Sequence, residues 1–381
     1  MFLYLAIFFL MVAIYFSTYE KKAKDVRILV FCMALLGIFV GISDMLGGYD
    51  RYIYADLFDN VANRIMNKEN IFQAEIFYLY RTEIGYDLYN VLIGLFTRNR
   101  YIFIFITTVI IYALLFASFK RYMENYSYAV LLFMGLWFFF TFTYLRQVMG
   151  VSIVWLSIQY IVERKRWRFL GVLLIAILFH NSAIIFVPLY FVPIKKFDKT
   201  RVLIVMIICL LLGISNIAGG LFETYGSIVG AEERAEGYAE DESGFRIAYL
   251  VEAVFFLGYI LYNYHKIPQK PLNLVMLNMG LIFCAILLIF VRSENGGRLG
   301  WYYMIGIIAT ITYLATYTKK ITYLGATMLA VSLFLYYRIL FSWGVQLYPY
   351  KTFFTDGVRE GDFIEERYEY DHNYDIDKFY K

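Results

Sequence analysis

Apolar residues occur along this chain in long unbroken runs, with neither the alternation of a half-buried strand nor the three-to-four spacing of a surface helix. The runs cover residues 1–18, 26–42, 101–119, 127–144, 147–162, 169–192, 202–221, 246–263, 272–291, 299–317 and 321–343. A helix of about 20 apolar residues crosses the hydrocarbon core of a bilayer. A transmembrane barrel would instead show short alternating segments, and there are none. The pattern predicts an all-α polytopic integral membrane protein with about 10 transmembrane helices. The run 86–97 is too short to cross and reads as an interfacial or re-entrant helix. Residues 1–343 are expected to form a single transmembrane domain, with extracytoplasmic loops at 43–100 and 222–246 and an extracytoplasmic tail at 344–381.

Basic residues orient the runs, because cytoplasmic loops carry the excess of Lys and Arg. The linker after the first run holds Lys21, Lys22, Lys24 and Arg27, so the N-terminus faces out. Lys120 and Arg121 then fall inside, Arg146 outside, and Arg164, Lys165, Arg166 and Arg168 inside. Simple alternation fails next: one crossing at 169–192 would put the basic stretch 193–201 outside and the acidic stretch 222–246 inside. A hairpin of two half-helices broken around Phe179-His180-Asn181-Ser182-Ala183 removes the conflict. The inside loops then hold 12 of the 16 lysines and 5 of the 31 acidic residues. A break at membrane depth needs protein or a water-filled cavity around its freed backbone groups, and such breaks are common at binding sites.

Composition narrows the function. Only 17% of the 381 residues are charged and 61% are hydrophobic, which excludes a soluble or disordered chain. A net charge of +4 is too small to imply a nucleic-acid partner. Cys32, Cys209 and Cys284 lie in separate apolar runs, with no metal or disulfide spacing. Met1 to Phe16 has no basic flank before it and no cleavage site, so it reads as a first span and not as a removed leader. The inside loops are short, and no nucleotide-binding motif occurs. Chemistry is therefore expected at the outer surface, without cofactor or metal.

Ionisable groups within or beside apolar runs are costly and usually serve function. Arg146 sits at the outer end of two consecutive runs, either as an interface anchor or as part of a cavity; the neighbouring Gln147 favours the cavity. His180 is the one histidine inside an apolar run, beside Asn181 and Ser182. It is either a satisfied core residue or a proton-handling group. Arg292, Glu294 and Arg298 occupy a tight turn with two glycines, where paired guanidiniums suit a pyrophosphate. Arg338, deep in the last run, is expected to pair with an acid, Glu252 among them, or to face a cavity. The first outside loop puts Asp50 and Glu83 beside glycine and tyrosine, a combination suited to sugar hydroxyls and pyranose faces.

These residues form an ordered series: Gly48-Tyr49-Asp50 to Tyr54, Glu83-Ile84-Gly85-Tyr86, Leu145-Arg146-Gln147, Phe179 to Ala183, Gly297-Arg298 to Tyr303, and Tyr348-Pro349-Tyr350. In this series, over about residues 30–355, the chain resembles the EpsG family of Wzy-like envelope polysaccharide polymerases. It departs from that pattern at Ser43 and Asp44, where relatives often carry an arginine.

The resemblance implies a GT-C-like glycosyltransferase in the bacterial inner membrane, with its site facing the periplasm or exterior. Donor and acceptor would be undecaprenyl-pyrophosphate-linked glycans, joined with inversion. A chain-length regulator is a further partner that the resemblance allows. Arg146, Arg292 and Arg298 would hold the pyrophosphate. His180, Asp50 and Glu83 are rival bases, and Gln147, Tyr86, Tyr303 and Tyr350 would complete the substrate contacts. The alternatives are another lipid-linked-sugar transferase, an O-antigen ligase, or a non-enzymatic transporter or flippase.

Overall fold

The computed structural model describes residues 1–19, 21–44, 49–215, 244–293, 296–316, 322–347 and 350–354. Among these residues there is no strand, only an isolated bridge between Ser43 and Thr352. Gly47, Gly48, Glu294, most of the 222–246 loop and the tail from Thr355 lie outside the described residues.

The principal helices are α1 (Phe2–Thr18), α2 (Val26–Gly41), α3 (Tyr49–Met66), α4 (Ile84–Gly94), α5 (Arg100–Tyr122), α6 (Tyr126–Leu136) and α7 (Leu145–Leu156). They continue with α8 (Arg166–Phe179), α9 (Lys199–Ile214), α10 (Ile247–Tyr262), α11 (Pro271–Ile289), α12 (Met304–Thr316) and α13 (Tyr323–Ser342). Their starts follow local chemistry. The side chains of Asp25, Asn99, Asn125, Asp198 and Thr322 each accept from backbone N–H groups of the first turn that follows. Pro271 opens α11, where no backbone donor is needed.

Among the described residues five stretches are long and apolar enough to cross a membrane: Arg100–Tyr122, Leu145–Val162, Pro271–Ile289, Gly296–Thr316 and Tyr323–Ser342. The protein is thus an all-helical, multi-pass membrane protein. Phe2–Thr18, Val26–Gly41, Tyr126–Leu136, Asn181–Phe191 and Ile247–Tyr262 are apolar but shorter. The run 127–144, expected as one span, is broken: α6 ends at Leu136 and a four-residue helix, Phe140–Thr143, follows. Every residue of α6 is buried. An unbroken apolar run does not distinguish a lipid-facing helix from one buried in protein.

The chain divides into two compact units. The first comprises Met1–Ser152, Leu178–His180 and the residues from Thr318 onward. Its core is aromatic: Tyr4, Phe39, Phe138, Phe139, Phe142 and Tyr336 lie within ring contact of one another. In the same unit Arg100 is buried and pairs with Asp56 and Asp59, one turn apart on α3, which ties α3 to the start of α5. Arg338 corrects its expectation: it is exposed on α13, beside exposed Phe334, Tyr337 and Phe341. It stands close to the helix end at Ser342, so a long side chain there can run along the apolar face to the interface.

The second unit comprises Ile153–Ile177 and Asn181–Tyr317. Its residues 164–177 run out and its residues 181–192 return. α8 stops at Phe179, and residues Asn181–Phe191 come back as a 3-10 helix. The two ends meet: Arg164 donates to the carbonyls of Tyr190 at 2.5 Å and Val192 at 3.1 Å. The Tyr190 hydroxyl donates back to the Arg164 carbonyl at 2.9 Å, and its ring stacks on Phe169 at 5.2 Å. The segment therefore folds back on itself after Phe179.

A hairpin keeps Lys196 on the same side as Arg164. In a background lacking Cys32, Cys209 and Cys284, all buried, Lys196→Cys is expected to resist an impermeant thiol reagent on intact cells. Ser227→Cys and Thr355→Cys are expected to react. Labelling of Lys196→Cys would restore a single crossing.

Candidate active site

The polar cluster of the first unit is built around the start of α4. A short helix, Glu75–Leu79, ends at Tyr80, and the next turn brings Glu83 to the N-cap of α4. The Glu83 carboxylate caps no backbone N–H of α4. It pairs instead with Arg146 from the first turn of α7, and both residues are buried. The Arg146 guanidinium lies over the Tyr80 ring, 3.6 Å from its centroid. Tyr86 presents a near-perpendicular ring to Tyr80 at 6.2 Å and to Tyr54 at 6.0 Å. The guanidinium is therefore fixed by a carboxylate and an aromatic face together. Its Nε is buried with no hydrogen-bond partner among the described residues.

One turn beyond Glu83 on the same face of α4 stands Asp87, which is 1% exposed. Its Oδ1 has no hydrogen-bond partner among the described residues. Burial first, and Glu83 second, push its carboxyl up to about 7 against the opposing pull of Arg146. Asn90 follows on this face, fully buried, and donates to the Tyr86 carbonyl at 2.8 Å. Asp87 was missed in the sequence. The spacing Glu83, Asp87, Asn90 is a polar stripe at helical period, and it identifies the face once 84–94 is taken as a helix.

His180 lies at the tip of the hairpin, half-buried, on the segment Leu178–His180 that clusters with this first unit. Leu178 packs so closely on Gly85 that a Cβ there would stand 2.8 Å from the Leu178 Cβ and 3.0 Å from its carbonyl oxygen. Phe179 meets the Tyr89 ring at 6.0 Å. The first turns of α4 thus receive the segment that ends in His180. Asp50 occupies the first turn of α3, half-buried. Its charge, after burial itself, raises the Tyr54 phenol, while Arg146 lowers it. Gln147 is buried beside Arg146. Among the sequence-predicted residues the first unit therefore gathers Arg146, Gln147, Glu83 and Tyr86, with Asp50 coupled through Tyr54.

Tyr350, also in the first unit, lies apart from this group: its ring stacks on Phe39 at 4.2 Å and its hydroxyl donates to the Phe39 carbonyl at 2.7 Å. Arg51, next to Asp50, is fully buried and donates to the carbonyls of Val40, Ser43 and Phe142 at 3.1, 2.7 and 3.2 Å. Burial lowers its guanidinium to about 10, with Asp44 opposing.

Arg292, Arg298 and Tyr303 belong to the second unit. Arg292 donates to the Ile214 carbonyl at 3.2 Å, and Arg298 is half-buried. The glycines of that turn serve packing: a Cβ on Gly297 would lie 2.4 Å from Tyr249, and one on Gly296 2.4 Å from Phe290. The buried Tyr303 donates its hydroxyl to the Ile185 carbonyl at 2.6 Å, while the Tyr302 hydroxyl and Ser182 hydrogen-bond at 2.9 Å. Both tyrosines hold the returning arm of the hairpin. Among the described residues no group of three His, Cys, Asp or Glu is placed to hold a metal.

A multi-pass helical membrane protein with a buried Arg–Glu pair, an adjacent buried carboxyl and tyrosine walls is the class that fold and site define. The chain belongs to the EpsG family, which it matches over residues 28–352. No curated protein and no solved structure matches it. Membership of this family points to a role in polysaccharide biosynthesis.

Proposed function

We propose that this protein polymerises oligosaccharide repeat units carried on undecaprenyl pyrophosphate, at the outer face of the bacterial inner membrane. The observation that carries this reading is the Arg146 guanidinium, clamped by Glu83 and Tyr80 with its Nε–H unspent, beside the buried carboxyl of Asp87. Pyrophosphate on an anomeric carbon is already an activated leaving group, so the transfer needs no nucleotide. The acceptor sugar hydroxyl attacks the anomeric carbon of the donor from the face opposite the pyrophosphate. The carbon–oxygen bond to pyrophosphate breaks, and the polyprenyl pyrophosphate leaves with the bonding electrons. Inversion follows from the single displacement.

Arg146 would bind the departing charge, a preorganised electrostatic role. Glu83 and Tyr80 would hold its plane. The hydroxyl proton goes to the Asp87 carboxylate, whose position near neutrality suits a general base better than a carboxylate tied to an arginine. Asp50, Gln147, Tyr54 and Tyr86 are sugar contacts in this scheme, and His180 is a second polar contact brought in by the hairpin. Arg292 and Arg298 remain proposed pyrophosphate contacts.

The test in cells is direct. Deletion of the gene is expected to abolish long polymer and leave single repeat units on the lipid carrier, exposed at the outer face. Repeat units that accumulate at the inner face instead would assign the protein to transport.

A further inference from the structure

The second unit contains a cavity that the proposed transfer does not use. It has a volume of about 200 Å³ and lies between α9 and α11, walled by Val202, Val205, Met206, Leu281, Ile282 and Ala285. The two helices run side by side in the same direction: Asn278 donates to the Pro193 carbonyl at 3.1 Å near the start of α9, and Gly213 approaches the Leu288 carbonyl at its end. From Asn278 to Ala285 the wall extends about 10 Å along α11 by helical rise. Around it α9 exposes Leu203, Ile204, Val205, Ile207, Ile208 and Leu211. An occupant of such a cavity comes from hydrocarbon.

The polar end of the same cavity is basic. Arg201 is part of the lining, exposed, and its guanidinium has no hydrogen bond or ion pair to any described residue. Lys195, Lys196 and Lys199 precede it, and Lys266 and Lys270 stand on the neighbouring connection. Lys196 donates to the Ile267 carbonyl at 2.9 Å, and the Tyr264 hydroxyl to the Phe197 carbonyl at 2.8 Å, so the two basic segments are stitched together. The sole acid of residues 192–201 and 263–272 is Asp198. Its carboxylate is taken up by the backbone N–H groups of Thr200 and Arg201.

An apolar slot open to lipid and headed by uncompensated cations matches one chemistry, an acyl chain with an anionic phosphate headgroup. We propose that this cavity seats one acyl chain of an anionic phospholipid, with its phosphate held by Arg201. The site is separate from the Arg146 cluster and stands whether or not the protein is a polymerase.

The experiment uses purified full-length protein reconstituted in vesicles of equal parts phosphatidylcholine and phosphatidylglycerol. The protein is extracted in mild detergent and its retained phospholipid counted by native mass spectrometry. Wild type is expected to retain phosphatidylglycerol in about tenfold excess, the scale set by one or two cations at a membrane surface. Arg201→Glu, an exposed change, should bring the two lipids to parity. Ala285→Phe fills the cavity and should remove the retained lipid. Val254→Phe, on the exposed face of α10 and outside the lining, should retain lipid as wild type does. Equal retention of both lipids by wild type, full retention in Ala285→Phe, or loss in Val254→Phe equal to that in Ala285→Phe overturns the proposal.

Discussion

Arg146→Lys is expected to lose polymer synthesis by about 10²–10³-fold, the scale of removing one preorganised donor from a transition state. Lysine keeps the charge and can still pair with Glu83, so protein level should stay close to wild type. It cannot reproduce the planar fork that lies over Tyr80 at 3.6 Å and leaves Nε free. The lysine substitution is more diagnostic than removal of the side chain. Arg146→Ala strands the buried Glu83 carboxylate, and an uncompensated buried charge costs about 3–5 kcal/mol, enough to lower protein abundance. Glu83→Gln leaves the arginine in the same position. Polymer measured against protein level separates the two effects. Full activity in Arg146→Lys would make this residue a structural anchor.

Asp87→Asn is expected to lower the rate by about 10²–10⁴-fold, the contribution of a general base. The pH profile carries the stronger prediction. A carboxyl pushed up to about 7 is increasingly ionised as pH rises through neutrality, so the rate should climb through that window and level off above it. Asp87→Asn should be slow and flat across the same range. His180, the rival base, reaches the same end of α4. His180→Ala should therefore weaken activity but keep the climb if Asp87 is the base. Stability runs the other way. The folded protein holds this proton more tightly than the unfolded chain does. Its contribution is complete in acid, below the ordinary carboxylate value, and is lost as pH approaches about 7. Asp87→Asn should flatten that loss, read as thermal unfolding in detergent between pH 4 and 8.

The long apolar runs were legible because burial in lipid or protein demands the same composition along each helix. What they did not reveal is which surface each helix meets. The run through Phe138, Phe139 and Phe142 looks like a span, yet those rings pack within the first unit and the helix breaks at Trp137. The hairpin was legible through charge, since a single crossing would have put Lys195, Lys196 and Lys199 on the wrong side. In the site, Arg146 stood out as a costly charge beside apolar runs and Glu83 as a carboxylate beside glycine and tyrosine, although their pairing spans 63 residues and leaves no local signal. Asp87 was hidden because the other polar residues of its face, Glu83 and Asn90, lie a turn away on a segment too short to announce that face. The hydroxyl partners of Tyr303 and Tyr350 are carbonyls of distant residues, Ile185 and Phe39, which no motif encodes.

The most direct measurement supplies purified protein, in lipid or detergent, with one lipid-linked repeat unit and resolves the products by size. The account predicts a ladder of increasing repeat number, formed without nucleotide and in the presence of a chelator, and absent with Arg146→Lys. Movement of the repeat unit across a membrane with no new glycosidic bond, under conditions in which intact cells make polymer, would contradict it.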